Sequence, residues 1–305
     1  MKKFILPLMA LIIFSSCSSD DDTPQAIEPL VITKADYETN YSAGGETFTL
    51  FVAATSNVSI PVVGEDQTWD FSVLNELDSA VFGGSDFLSP SNPEFPSATY
   101  FQQSLGSYAI SGESSNDYEA ELYNELNDNG IFDLGLSQTQ PAILSIPAIG
   151  AVINYEVQNR AYTGTPKLPS VLFPVEYGDT PITTSGVIDT VSFTVDAPAF
   201  GLNNTPGQLV YSDGVTQEVI ASGTANFKGI GNKRVLVTKS EATTTLNYFL
   251  GGAPAPAALL SMLGATDGSM TTVTTYRFIA EGLGTSGFID VDESGAIISA
   301  RFRKG

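Results

Sequence analysis

With 34 acidic against 13 basic side chains in 305 residues, the chain carries a formal charge of −21, and it has no histidine at all. The balance lacks the Lys/Arg clusters that nucleic-acid binding requires and disfavours docking on bare anionic headgroups; the missing imidazole removes Ser-His-Asp and Cys-His catalysis and the common zinc, copper and non-haem iron sites. Charged residues make up 15% of the sequence, under the usual share of about 25%, and Thr, Ser, Gly and Asn fill the surface instead.

Lys2 and Lys3 precede an apolar run from Phe4 to Phe14, too short to cross a hydrocarbon core of about 30 Å. A charged start, a short apolar run and a small-residue exit predict a cleaved export signal over residues 1–16. The exit, Phe14-Ser15-Ser16-Cys17, resembles a bacterial lipobox, with Phe14 where that pattern prefers Leu. The resemblance implies a diacylglycerol on the Cys17 thiol, cleavage before it and an acyl chain (palmitate) on the new amine. Two or three acyl chains anchor a protein durably, where one would not. Cys17 is the only cysteine, so no thiol is left for a disulfide or a metal. Loss of Lys2 and Lys3 leaves 34 acidic against 11 basic residues, a formal charge of −23. Ser18-Ser19-Asp20-Asp21-Asp22 follows; clustered like charges repel, so residues 17–30 read as a solvated tether. Ser19, Asp20, Asp21 and Asp22 also resemble the acidic lipoprotein export signal of Bacteroidetes, which implies a lipid-anchored position on the extracellular face of the outer membrane.

Beyond the tether, residues 31–305 form a β-rich region, read as one large sandwich or as two packed sub-domains meeting near residue 180. The first strand is Thr47–Ala53, and the next is Trp69–Val73, with Trp69 and Phe71 inward and Asp70 outward. Phe87 to Pro96 reads as a Pro/Ser/Asn loop. Glu113 to Asn129 is acidic, and the helix-like spacing of Glu119, Leu122 and Tyr123, with Tyr118, Leu122 and Leu126, allows a short surface helix without deciding for it. Ala142 to Val157 is apolar with Pro147 inside, hence two strands or a buried loop. Val187 to Asp196 alternates at period two, with Val187, Val191, Phe193 and Val195 on one face and Asp189 interrupting them; one polar face predicts a half-buried antiparallel strand. Further strands are Gln208–Tyr211, Glu218–Asn226, Lys233–Lys239, Thr243–Leu250, Thr271–Ala280, Gly287–Val291 and Ala296–Phe302. Turns are expected at Ser212-Asp213-Gly214, Gly229-Ile230-Gly231-Asn232 and Glu293-Ser294-Gly295. Within apolar Ala253 to Leu263, Pro254 and Pro256 keep the start out of helix, leaving two turns at most, over Ala257–Leu263, to cover an open end of the sheet. The expected fold class is all-β: an antiparallel sandwich or meander with long hairpins and few short helices.

Gly64-Glu-Asp-Gln67-Thr-Trp69-Asp70-Phe71-Ser72-Val-Leu74 is similar to a G-x-x-Q-T-W-D-F-S-x-L segment of many secreted Bacteroidetes proteins. Phe95-Pro96-Ser-Ala98-Thr99-Tyr100, Phe173-Pro174-Val-Glu-Tyr177-Gly178-Asp179, Gly223 to Phe227 and Asn232 to Lys239 match later segments of the same group, in the same order. The resemblance implies an exported β-sandwich module with no attached biochemical activity. This chain departs from the group in carrying a lipobox.

Candidate chemistry is sparse. Asp290-Val-Asp292-Glu293-Ser294-Gly295 opens like a calcium loop, but Arg301 stands where the site needs a bidentate carboxylate, so Asp290 and Asp292 read first as a hairpin turn. Asn127-Asp128-Asn129-Gly130 is likewise a turn. Asp78-Ser79-Ala80, in an expected loop, and Asp189-Thr190-Val191, on a strand, resemble the Bacteroidetes O-glycosylation acceptor, making Ser79 and Thr190 candidate sites. Glu119, Glu121 and Glu125 supply carboxylates, but a glycosidase pair must flank a cleft, and a solvated acidic face explains them more simply. No phosphate loop or dinucleotide fingerprint is present. No cofactor or metal is expected. The chain therefore reads as a non-enzymatic binding or surface-structural module, with a membrane as partner through its anchor and a glycan or surface protein as ligand. One alternative is a carbohydrate-binding accessory lipoprotein, which needs exposed aromatics in a groove. Another is a periplasm-facing carrier of an apolar ligand, which needs a cavity between Ala142–Val157 and Ala253–Leu263.

Overall fold

A computed structural model describes residues 28–82, 87–110, 112–163, 167 and 169–305. The signal, Cys17 and the acidic run Ser19, Asp20, Asp21 and Asp22 lie outside the described residues.

β1 (Val31–Ile32) and α1 (Ala35–Glu38) lead into β2 (Phe48–Ala53), β3 (Gly64–Asp70), β4 (Glu76–Phe82), β5 (Phe87–Leu88) and β6 (Tyr100–Gly106). A small ribbon, β7 (Ala109–Ile110) and β8 (Glu113–Ser114), precedes β9 (Tyr118–Asn127), β10 (Gly130–Gln138), β11 (Ala142–Ile146), β12 (Ala151–Tyr155), β13 (Gln158–Ala161), β14 (Pro169–Leu172) and β15 (Val175–Glu176). The longest strands follow: β16 (Ile182–Ala197), β17 (Leu202–Phe227) and β18 (Gly231–Leu250). After β19 (Ala253–Pro254) and α2 (Ala257–Met262), the chain closes with β20 (Ser269–Ala280), β21 (Gly284–Asp292) and β22 (Ile297–Lys304). The all-β expectation holds.

Twelve strands form the main sheet, in the order β11-β12-β16-β17-β18-β20-β21-β22-β2-β4, with β19 beside β18 and β3 beside β17. A second sheet, β13-β10-β9-β6-β5 with β14 beside β10, lies across one face of it. Cross-strand partners share a face, so register sorts the side chains. Ser222, Leu236 and Ile279 form one row and Ala221, Val237 and Phe278 the alternate row. Leu236 and Ile279 meet Tyr100, Leu126 and Ile131 of the second sheet in one core. Ala221, Val237 and Phe278 instead meet Phe51, Phe71, Ile289 and Phe302, so at that end the main sheet curls round a core of its own. A third core sits at the other end of β16–β18, where Val191, Phe193, Leu209 and Ala197 pack against Tyr118, Ala120 and Leu136.

Two segments differ from expectation for instructive reasons. Ser212-Asp213-Gly214 is no turn: β17 runs through it unbroken for 26 residues, because Gly214 has ladder partners on both sides, Ser185 and Thr243. Pairing on both edges overrides local turn chemistry, and likewise fuses Lys233–Lys239 with Thr243–Leu250 into β18. The strand expected at Trp69–Val73 instead occupies Gly64–Asp70 and runs parallel to β17, an exception in an otherwise antiparallel sheet. Gly223 permits this approach, since a Cβ there would come within 2.0 Å of the Gln67 carbonyl oxygen. Trp69 is half-buried, edge-on to Phe278 at 5.4 Å, and Phe71 stacks on Phe302 at 3.9 Å; Asp70 faces out. Residues 113–129 become strands rather than helix, β9 being paired on both edges. The loop expected from Phe87 opens with the two-residue β5. Ala142 to Val157 forms two strands, β11 and β12, around a turn at Pro147, and the turns at Gly229–Asn232 and Glu293–Gly295 are present, with Gly229, Gly231 and Gly295 at positive φ.

Candidate functional site

The apolar end of β16–β18 lines a partly open cavity of about 150 Å³. Period-two alternation aims Ala151, Ile153 and Tyr155 of β12 into it, beside Phe193 and Val195 of β16, Leu209 and Tyr211 of β17, and Leu246, Tyr248 and Leu250 of β18. Gly207 has no room for a side chain: a Cβ would stand 2.3 Å from the Phe193 ring, so the glycine lets that ring lie over β17. The roof is α2. Pro256 precedes its first residue with an extended backbone, and the six residues that follow bury Leu259 and Leu260. Leu263 closes the turn by donating its N–H to the Leu259 and Leu260 carbonyls at 3.1 and 3.0 Å. The expected two turns over Ala257–Leu263 are present, and Leu259, Leu260 and Leu263 line the cavity together with Ile146, Ile149, Ala151 and Ile153.

Aromatic rings form one wall. Tyr108 stacks between Tyr155, at 3.7 Å, and Tyr118, at 4.9 Å, while Phe193 tilts against Tyr155 at 5.6 Å. Tyr108 donates its hydroxyl to Gln138 Oε1 at 2.7 Å, and buried Gln138 donates in turn to the Gln140 carbonyl at 2.7 Å. Burial raises the hydroxyl pKa of Tyr155, Tyr211 and Tyr248 above the usual phenol range, so all three stay protonated in neutral solution.

Between the cavity and the far cores runs a buried polar seam. Asp189, which interrupts the apolar face of β16, is paired with Arg160 at 2.6 Å, their side chains 13% and 6% exposed. Burial raises the Asp189 carboxyl pKa more than the guanidinium lowers it. Burial also raises Asp213 and Asp133, the latter accepting two contacts from the Ser170 hydroxyl at 3.0 and 3.2 Å. Arg277 donates to the Ser170 carbonyl and lies over the Phe288 ring at 5.5 Å. Among the described residues, Arg160 Nε, Asp189 Oδ1, Asp213 Oδ1, Thr238 Oγ1 and Arg277 Nε are buried without a hydrogen-bond partner.

The other sequence candidates stay apart from the cavity. Asp290 accepts the Thr275 hydroxyl at 2.7 Å. The Asp292 carboxylate caps its own turn, accepting Ser294 N–H at 2.9 Å, Ser294 Oγ at 2.6 Å and Ala296 N–H at 3.0 Å, which holds its pKa below the ordinary value. Asn127 Oδ1 accepts the Asn129 N–H at 2.8 Å in the β9–β10 hairpin. Ser79 is exposed, but on edge strand β4 rather than in the expected loop, its N–H donated to Asp78 at 2.7 Å. Thr190 is half-buried in mid-β16. On β9, Glu121 accepts the Tyr123 hydroxyl at 2.5 Å, Glu125 pairs with Lys167 at 2.7 Å, and Glu119 is exposed. Among the described residues, no tyrosine is exposed and Trp69 is half-buried, while Phe200 is exposed. Sequence reasoning missed Tyr108, Tyr211 and Tyr248 as wall residues. The signal was there in Leu209/Tyr211 and Leu246/Tyr248/Leu250, which alternate at period two on strands whose faces were not assigned.

No protein-family model matches the chain, and no curated protein matches it. A solved structure from Parabacteroides distasonis, provisionally described as a lipoprotein, is similar at 10% identity over 87% of this chain and 97% of that one. Its TM-score is 0.26, which carries no argument about fold or function.

Proposed function

We propose that this chain is an exported, lipid-anchored binding protein, non-enzymatic, that holds a small apolar molecule or the apolar part of a larger one in the cavity beneath α2. The observation that carries the reading is the cavity itself, lined by the two apolar stretches whose meeting an apolar-ligand carrier requires. Ligand sites are concave and mostly apolar with a few polar groups, and a dry cavity of about 150 Å³ lined by Leu, Ile and Phe is known to take a benzene-sized guest. The anchor follows from the Phe14-Ser15-Ser16-Cys17 exit, and placement on the extracellular face from Ser19 and Asp20 to Asp22.

Calorimetric titration of the full chain with toluene tests the binding. Seven heavy atoms at roughly 0.6–0.8 kcal/mol each give a dissociation constant on the order of 0.1–1 mM. Ala151→Phe, which fills the cavity, should abolish the signal; equal heats from the two proteins would end the proposal. For the anchor, intact cells are shaved with protease and immunoblotted. Wild type should be cut, Cys17→Ala should leave the membrane fraction, and triple alanine replacement of Asp20, Asp21 and Asp22 should be protected. Wild type protected until lysis would place it facing the periplasm.

A further inference from the structure

The cavity wall carries three phenol hydroxyls that its architecture does not use. Tyr108 explains itself, because its hydroxyl is tied to Gln138. Tyr155, Tyr211 and Tyr248 line the same cavity, and no hydrogen bond to a described residue acts on any of the three hydroxyls. Tyr155 is the sharpest case, with 4% of its surface exposed. None of the three hydroxyl oxygens is among the described side-chain atoms sealed from solvent without a partner, so each keeps its hydrogen-bonding capacity free for a molecule that reaches it, where a phenylalanine would offer none. Neighbouring positions show that the wall accepts plain hydrocarbon: Phe193, Leu209, Leu246 and Leu250. Tyr211 and Tyr248 sit on one face of neighbouring strands, two positions apart along the ladder, since Leu209 pairs with Tyr248 and Tyr211 with Leu246.

Charge at the cavity points the same way. No Asp, Glu, Lys or Arg lines it. The Arg160–Asp189 ion pair stands beside Tyr211, the β17 residue that is opposite Asp189 and shares its face, and its two charges offset one another. A carboxylate entering here would be stripped of water with no cation to receive it. Protonated phenols, by contrast, both donate and accept.

Resting on the cavity reading above, we infer that the ligand is an uncharged amphiphile: an apolar ring or chain bearing a hydroxyl or carbonyl group that Tyr155, Tyr211 and Tyr248 recognise. Three probes separate the parts, each built on one methyl-substituted ring: toluene, p-cresol and 4-methylbenzoate. They are titrated calorimetrically into wild type, into the triple variant Tyr155→Phe/Tyr211→Phe/Tyr248→Phe, and into Tyr108→Phe. Wild type should bind p-cresol about 3- to 10-fold more tightly than toluene, the worth of one net hydrogen bond, and 4-methylbenzoate at least about 10-fold more weakly than p-cresol. The triple variant should bind toluene at least as well as wild type and lose the preference for p-cresol; Tyr108→Phe should keep that preference. If the triple variant does not fold, half-buried Tyr248→Phe alone should lower the preference about 2- to 3-fold. Toluene binding with no p-cresol preference, or a preference that survives the phenylalanines, would overturn this inference and leave the apolar cavity standing. Absence of toluene binding in folded wild type would remove the cavity reading itself.

Discussion

Removing one member of the Arg160–Asp189 pair has a cost that depends on which member goes. The two charges are 2.6 Å apart with 6% and 13% of their side chains exposed. Their attraction, about 6 kcal/mol at an effective dielectric near 20, roughly cancels the several kcal/mol each loses on leaving water. Replacing both, as Arg160→Met/Asp189→Leu, should therefore be close to neutral. Asp189→Leu alone leaves a buried guanidinium that cannot release its proton, and should cost about 3–5 kcal/mol at any working pH. Arg160→Met leaves a carboxyl that can take up a proton instead. Neutralising it costs about 1.4 kcal/mol for each pH unit above an unfolded pKa near 3.9, hence about 4 kcal/mol at pH 7 and about 1.5 kcal/mol at pH 5. The direction follows from burial, which already raises the Asp189 pKa beside its partner; without Arg160 it rises further, and stability is lost as pH climbs towards it. Urea unfolding of the four proteins at pH 5 and pH 7 measures all of this. A penalty for Arg160→Met that is the same at both pH values, or a penalty for Asp189→Leu below about 1 kcal/mol, would refute the account of the pair.

The wild-type protein should itself unfold at lower urea as pH rises from 5 to 8. Burial raises the carboxyl pKa of Asp133, Asp189 and Asp213, so the folded state binds their protons more tightly, and the stability they lend below the unfolded pKa is lost as pH passes their folded values. Asp133→Asn should flatten that slope, and a midpoint rising with pH would contradict it. Gly223→Ala should dislodge β3, because its Cβ would fall 2.0 Å from the Gln67 carbonyl oxygen; hydrogen exchange should show protection lost over residues 64–70 before the rest of the sheet. Leu259→Ala, in the roof of the cavity, should cost about 2–4 kcal/mol in urea unfolding, and it should admit p-xylene more readily than wild type does by calorimetry.

Much of the architecture was legible because it rests on alternation. Val191, Phe193 and Val195 announce a half-buried strand wherever they are met, and Pro147, Pro254 and Pro256 mark where apolar stretches cannot continue as helix. Glycine turns at Gly229 and Gly295 were equally plain. What stayed hidden depends on partners distant in sequence. Ser212-Asp213-Gly214 has turn chemistry, and only its position between Ser185 and Thr243 keeps it extended. The parallel docking of β3 on β17 rests on the missing side chain at Gly223, which no local pattern discloses. Several residues that resemble the exported module turn out to hold the fold: Asp70 Oδ1 accepts Ser72 Oγ at 2.5 Å and Asn226 Nδ2 at 3.1 Å, and Phe95 stacks on Tyr123 at 4.4 Å. The cavity was half legible. Its two apolar linings stood out by composition, whereas its tyrosines sit singly on strands far apart in the chain and converge only through register.

The length of β17 and β18 sets where the cavity stands relative to the tether. The described chain begins at Glu28, whose carbonyl is held by Arg234 at 2.6 Å, and Arg234 lies opposite Thr224 on β17. From Thr224 back to Leu209, at the cavity wall, the strand runs about 50 Å. The cavity wall therefore stands about that far along β17 from the point where the described chain begins. If the anchor proposed at Cys17 holds, a guest would be met at the far end of this span from Glu28, and its capture would depend on how far the segment before Glu28 lets the sheet reach.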